Sequence, residues 1–381
     1  MSSGAKRFKT RVVVGTDISG KPICKWATGA TEAEMLERKQ LLIDKYIVDA
    51  NNVSKQDVMF GQYAVDWFRV YKVGPGGLKA STLSGYKSAL NNHILPMWGN
   101  RIIRAIKPLE LQSWVNSLSG KRNGTVEEIL LMCRQIFAQA FADGTIDRNP
   151  MVGIHKPRTV ELKRNEVPDD QIASLDAAAR RLMLEGPSGA MAALLFYIPY
   201  MTGLRRGEFL GLTGEDIDFG SRLIHVRREV VYVRGRLIVY DLSAGDRLKT
   251  DAAARDVPMP EELCNLLREY GVIGRRPLFV GPKSGKWVCH STYKRLWLRL
   301  VREAGLDKLP ETDKITPHRL RHTYSSITRR AQLDIKERQY IMGHADPEIT
   351  DGRYTHINNA DLMVILGKLD TFFSGAKAGA M

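Results

Sequence analysis

Three segments of the chain carry groups suited to phosphodiester chemistry. Arg205 lies in TGLRRGE, Lys249 lies in RLKT, and PHRLRHTY holds His318 and Arg321. A phosphoryl-transfer transition state spreads negative charge over non-bridging oxygens. Two guanidiniums such as Arg205 and Arg321 can clamp those oxygens with forked hydrogen bonds. The spacing of His318 and Arg321 sets two polar donors about one helical turn apart on one face. A lysine whose pKa is pulled down by neighbouring cations can protonate a leaving 5′ oxygen. A tyrosine, with a free pKa of about 10, is a nucleophile only where its proton is removed or its oxygen is stabilised. Taken singly, each residue also has an ordinary reading. Arginine is common at helix boundaries, a hairpin lysine is usually solvated, and a lone histidine such as His344 is more often structural. Their combination and order favour the chemical reading.

The elements that must position these groups fall in residues 167–381. An apolar helix, Ala190–Met201, leads into the first arginine segment. Strand-like runs follow, RLIHVRREVVYV and RLIVYDL, then LKTDAAARDVPMP, and then helical patterns through HRLRHTYSSITRRA. This is an α+β layout with a short antiparallel sheet. Residues 57–158 read as all-helical: Leu83, Tyr86, Leu90 and Ile94 share one face, and Val126 to Ala140 keep a strict apolar stripe. Residues 1–50 read as a small separate unit. RVVVGTD and ICKWAT are strand candidates around the turn signal SGKP, and Thr31 and Glu34 are placed to open a helix as a capping box. A solvated basic tail is the alternative for these first residues.

The 381 residues carry 57 Lys and Arg against 42 Asp and Glu, a formal charge of +15. Such an excess suits a polyanion, usually nucleic acid, although a merely basic protein would also show it. The longest apolar run, Met191–Met201, is too short to span a bilayer, so no membrane role is expected. The cysteines, Cys24, Cys133, Cys264 and Cys289, have no zinc-type spacing and read as reduced, mostly buried thiols of a cytoplasmic protein. No phosphate-binding glycine loop and no carboxylate cluster suited to Mg²⁺ is found.

At these motifs the sequence resembles the tyrosine recombinases, or phage integrases. TGLRRGEFLGLTGEDID resembles the family's first arginine box, which implies that Arg205 is catalytic, with Arg206 its neighbour and Glu208 an acidic brace. LKTDAAARDVPMP resembles the β-hairpin box, making Lys249 the general acid. ITPHRLRHTYSS supplies His318 and Arg321. MGHADPEITDGRYTH supplies His344 and the nucleophile Tyr354, whereas Tyr324 and Tyr340 are read as core or helix-face residues.

The resemblance implies a tyrosine-recombinase catalytic domain at 167–381, a SAM-like core-binding domain at 57–158 and an arm-type DNA-binding domain at 1–50. That third unit points to a phage or conjugative-transposon integrase. The expected chemistry needs no metal, ATP or other cofactor. Double-stranded DNA at attachment sites is the expected partner. Lys6, Arg7, Lys9 and Arg11, then Lys79, Thr82, Tyr86 and Lys87, are candidate contacts, the latter four equally readable as a plain surface helix start. A homo-tetramer on two duplexes is implied, with an excision or DNA-bending protein as accessory partner. The tail, 359–381, is expected to dock either on a neighbouring protomer or on its own domain. Two other readings use the same features: a type IB topoisomerase, and an architectural DNA binder that does not use its site.

Overall fold

The structure is a computed structural model. It describes residues 8–46, 57–74, 78, 80–159, 166–233, 235–242, 254–272, 274–281, 285–311, 313–343 and 357–378. The chain divides into two compact units, Met1–Leu162 and Lys163–Met381.

The first unit opens with an antiparallel hairpin of β1 (Phe8–Thr16) and β2 (Pro22–Gly29), paired from Phe8 with Gly29 to Thr16 with Pro22. Asp17 shapes the turn by accepting from the backbone N–H of Ser19 (2.8 Å) and Lys21 (2.9 Å). Helix α1 (Glu32–Tyr46) covers one face of the hairpin, where Val12, Val14 and Ala27 are buried. Thr31 caps α1 through the Glu34 N–H (3.2 Å), while the Glu34 carboxylate reaches back to the N–H of Ala30 (2.8 Å), one residue earlier than a strict capping box. The hairpin does not stand apart from the helices that follow. So small an element cannot bury a core of its own. Ile18 and Ile23 instead pack against the helical core, and the Ile18 N–H reaches Asn91 Oδ1 (3.4 Å).

The helices of this unit are α2 (Phe60–Phe68), α3 (Ala80–Ala89), α4 (Leu95–Trp98), α5 (Pro108–Asn116) and α6 (Asn123–Ala142). A π-helical turn, Leu90–Ile94, joins α3 to α4. Their core holds Phe60, Trp67, Leu90, Ile94 and Trp98 against the α6 stripe of Val126, Ile129, Cys133, Ile136 and Phe137. The apolar spacing of α6 is thus used as a core face, as its 3.6-residue period dictates.

The second unit is α+β. Helices α7 (Asp169–Met183) and α8 (Pro187–Thr202) lead to the short α9 (Arg206–Leu210). Helix α8 is buried around nearly its whole circumference, so the apolar run there is a core helix. Strands β3 (Ile217–Asp218), β4 (Leu223–Val226) and β7 (Arg255–Pro258) make one antiparallel sheet in the order β3-β4-β7. Strands β5 (Arg228–Val233) and β6 (Arg236–Asp241) form a separate hairpin. The run RLIHVRREVVYV therefore breaks at Arg227 into strands of two different sheets. Helices α10 (Glu261–Tyr270), α11 (His290–Glu303), α12 (Pro317–Arg330), α13 (Ile335–Met342) and α14 (Asn359–Ala378) complete the unit.

Helix α14 packs on its own domain. Leu362, Ile365, Leu369 and Phe373 belong to the core of their own domain, Asp370 pairs with Arg222 (2.8 Å) and Lys368 with Glu337 (3.0 Å). Of the two placements expected for the tail, its apolar face here takes the one on its own domain. Among the described residues, no helix is long and apolar enough to cross a membrane. The cysteines also depart from expectation. Cys133 and Cys264 are buried, Cys24 is half-buried, and Cys289 is exposed.

Candidate active site

The site is built where α9, α12, β7 and the end of α13 meet. Helix α8 stops at Gly203, whose φ of +66° is left-handed. A Cβ there would lie 2.3 Å from the Tyr324 ring and 2.8 Å from Met342 Sδ, so only glycine fits. The chain reverses through Leu204 and places Arg205 as the N-cap of α9. Glu208, at the third position of α9, accepts from the Arg205 backbone N–H (2.8 Å) and from its Nη1 (2.8 Å). The neighbouring arginines part company: Arg206 lies 5.7 Å from the centre of the Tyr293 ring, while the Arg205 side chain, 42% exposed, points its Nη2 at the carbonyl of Gly343 (2.6 Å).

Arg321 comes from α12. This helix starts with Thr316, which accepts from the Arg319 N–H (3.2 Å), and with Pro317 in the first turn. Arg321 is buried and donates from Nη1 to the carbonyl of Gly203 (2.6 Å) and from Nη2 to that of Met342. Burial, and then the repulsion of Arg205 and Arg255, lower its pKa to about 10, so it stays cationic at neutral pH. The two guanidiniums expected to act together are therefore brought together, on consecutive carbonyls at the end of α13.

His318 stands at the exposed start of α12. It pairs with His322 one turn later, Nε2 to Nε2 3.2 Å, with the rings edge to face at 4.6 Å. Tyr324 is wholly buried, its hydroxyl makes no hydrogen bond among the described residues, and burial raises its pKa. Tyr340 is half-buried, with its pKa also raised by burial. Both fit their reading as packing residues. Lys249, His344 and Tyr354 lie outside the described residues. The segment with Lys249 enters β7 just after residue 253, and that with His344 and Tyr354 begins directly after Gly343.

The motifs did not single out Arg255, the first residue of β7. Its Nη1 and Nη2 donate to the two Glu208 oxygens (3.1 and 3.0 Å), and its Nε donates to the carbonyl of Ile341 (3.0 Å). Strand alternation was the available signal: Arg255 shares a face with Val257, a core residue, so its charge has to be buried and matched. His322 was missed too, although its spacing of four from His318 places it on the same helix face. Glu208 is buried, which by itself would raise its pKa. The Arg255 guanidinium, and then Arg205, outweigh that and hold it at about 2. Three guanidiniums around one carboxylate leave surplus positive charge at the exposed edge of Arg205, an arrangement that can hold a phosphate.

The candidate DNA contacts are scattered. Lys9 and Arg11 lie on the exposed face of the hairpin, where Lys9 Nζ sits 4.0 Å from the centre of the Trp26 ring. In α3, Thr82 is exposed, Tyr86 packs half-buried against the helical core, and Lys87 Nζ is 5.8 Å from the Phe68 ring centre. Lys6, Arg7 and Lys79 lie outside the described residues. Among the described residues, no cluster of three or more metal-ligating side chains occurs.

Comparison with known proteins agrees with this geometry. The phage integrase family matches residues 166–361, and the N-terminal SAM-like domain of phage integrases matches residues 59–119. The chain is 25% identical to a XerC-like tyrosine recombinase of Caldanaerobacter subterraneus subsp. tengcongensis, over 94% of each protein. It is 28% identical to the transposase from transposon Tn916 of Enterococcus faecalis, over 71% of this chain and 68% of that one. Its fold matches the Tn1549 transposon integrase solved with a circular intermediate DNA, at a TM-score of 0.60 and 22% identity, covering 82% of this chain and 99% of that one. It also matches lambda integrase, solved as a tetramer bound to a Holliday junction, at 0.56 and 18%, covering 87% and 88%. The family match spans more than half of the chain and contains all of Arg205, Glu208, Arg255 and Arg321: this protein belongs to the phage integrase family and is a tyrosine recombinase, an enzyme of site-specific DNA cleavage and rejoining.

Proposed function

We propose that the chain integrates and excises a mobile element by cutting each DNA strand through a 3′-phosphotyrosine on Tyr354. In this reading Arg205 and Arg321 clamp the non-bridging oxygens of the scissile phosphate. The Tyr354 oxygen attacks phosphorus, the bond to the 5′ oxygen breaks, and Lys249 delivers the proton that the leaving oxygen takes up. His318 and His344 hold or move protons around the phosphate. The freed 5′ hydroxyl of a partner duplex then attacks the phosphotyrosine and releases Tyr354. Bond energy is kept in the covalent link, so the step consumes no nucleotide.

The observation that carries this reading is the meeting of Arg205 and Arg321 on the Met342 and Gly343 carbonyls, at the root of the segment that contains Tyr354. Exchange between two duplexes calls for four protomers, as lambda integrase was found on a Holliday junction. Lys9 and Arg11 on the hairpin face would hold arm-type DNA, and α3 with Thr82 and Lys87 would hold the core site. The reading places the work on attachment sites in the cytoplasm, with an excision or DNA-bending protein setting direction.

A nicked attachment-site duplex, cut from the ends of the encoding element, tests the proposal. Wild type in EDTA should give a covalent protein–DNA band on a denaturing gel, joined through the 3′ phosphate, and Tyr354→Phe should bind but give none. A band retained in Tyr354→Phe would remove Tyr354 as the nucleophile. Supercoil relaxation without junctions would instead favour topoisomerase-like action.

A further inference from the structure

We propose that Arg255 is a positioning residue of the cleavage step, setting the Arg205 guanidinium through Glu208 and the end of α13. The part given to Arg205 rests on the reading above. The side chain of Arg255 is 1% exposed, so it cannot itself reach a phosphate. What it reaches is the Glu208 carboxylate that holds Arg205, and the helix end next to the Gly343 carbonyl that Arg205 also uses. Its two Nη groups take both oxygens of Glu208, the same two oxygens that accept from the Arg205 Nη1 and backbone N–H. A two-pronged fork fixes the plane of a carboxylate, which a single-point ammonium does not. With that plane fixed, the direction in which Glu208 Oε1 draws Arg205 is fixed as well.

The second anchor is the end of α13. The last carbonyls of a helix lack intrahelical partners and carry the negative end of its dipole. Here three successive carbonyls are taken by three different arginines: Ile341 by Arg255 Nε, Met342 by Arg321, and Gly343 by Arg205. Gly343 is left-handed, with φ +58°, and a Cβ on it would sit 2.7 Å from Arg255 Nη1 and 2.8 Å from Cζ. The Arg255 guanidinium thus lies flat against the residue whose carbonyl orients Arg205. Arg255 joins the arginine box, the strand after the Lys249 segment and the root of the Tyr354 segment into one rigid joint. A clamp held this way is arranged before the phosphate arrives.

Arg255→Lys keeps the charge and removes the fork. Covalent-complex formation is read in single turnovers at saturating DNA, on a normal scissile phosphate and on a neutral methylphosphonate at that position. On the phosphate the variant should lose about tenfold or more in rate with unchanged DNA affinity, because transition-state charge is no longer met in register. On the methylphosphonate there is less charge for Arg205 to meet, so the variant should come within about twofold of wild type. Arg205→Ala, run beside it, should show the same contrast. If Arg205→Ala shows it and Arg255→Lys falls equally on both substrates, or not at all, Arg255 is only a support of the fold and the proposal is wrong. If Arg205→Ala cuts the phosphate at the wild-type rate, the reading of the site fails and the proposal goes with it. Should Arg255→Lys melt below the assay temperature, Gly343→Ala displaces the same guanidinium from the other side. It should give the same contrast, and equal losses on both substrates would again overturn the proposal.

Discussion

Arg205 and Arg321 donate to adjacent backbone carbonyls, Gly343 and Met342, at the end of one helix. Residues far apart in sequence are thereby held in register by main-chain atoms, which substitution of α13 side chains does not remove. The segment leading to Tyr354 starts from that same turn. The register of these two arginines and the start of the segment that contains Tyr354 are one structural fact.

Loss of either guanidinium should be costly for that reason. Arg205→Ala or Arg321→Ala should lower single-turnover cleavage about 10²–10³-fold, the range for removing one preorganised donor. Arg321→Ala should also lower the melting temperature, because it strips partners from the Gly203 and Met342 carbonyls. Arg205, partly exposed, should affect stability less.

Glu208 should leave an acid limb in the stability curve. Its folded pKa, held at about 2 against burial by Arg255 and Arg205, lies below the value of about 4.3 for an unfolded glutamate. The stabilisation is present above the unfolded value and is lost as pH falls from there toward 2. Thermal melts between pH 6 and pH 2, estimated endpoints for that window, should show a loss of stability that Glu208→Gln blunts. Glu208→Gln itself should cost about 3–5 kcal/mol near neutrality, since it leaves Arg255 buried without its counter-charge.

Gly203→Ala tests the turn before Arg205. The φ of +66° and the 2.3 Å approach to the Tyr324 ring offer no room for a methyl. Destabilisation of about 1–3 kcal/mol or more is expected. Chemical denaturation measures it, and a neutral result would mean that the α8–α9 turn is placed differently.

Removal of residues 359–381 should damage folding before it damages assembly. Leu362, Ile365, Leu369 and Phe373 are buried in the catalytic core, each worth about 1.5–3 kcal/mol when fully buried. That sum is comparable with a typical total stability of about 5–15 kcal/mol. The truncated chain should be insoluble or lack a cooperative melt. A stable, DNA-binding truncation impaired only in synapsis would return the tail to a neighbouring protomer.

Cys289 should be the fastest thiol to alkylate. It is exposed, and its hydrogen bonds with Ser291 and then Thr292 bring its pKa down to about 7. Labelling followed by mass spectrometry should show its rate rising through pH 7, an approximate midpoint set by that pKa. Cys133, with its thiol raised to about 12 by complete burial, should label only on unfolding.

Local pattern alone determined the apolar stripe of α6, the buried run of α8, the hairpin turn at SGKP and the cap at Thr31. Each follows from side-chain period or a nearby hydrogen bond, which neighbouring residues suffice to specify. The family's motifs were equally legible, because Arg205, His318 and Arg321 sit in short runs with their own spacing. Partner choice across long sequence distances was not legible. Strand alternation puts Arg255 on the buried face of β7, but nothing local names its partners, Glu208 and the Ile341 carbonyl. Nothing in the amphipathic tail names the elements its apolar face meets, and only the fold sets it against β7 and α12. The hairpin likewise reads as a separate unit until Ile18 and Ile23 find the helical core. Burial of charge and apolar surface is a property of the assembled chain, so tertiary structure alone could decide these pairings.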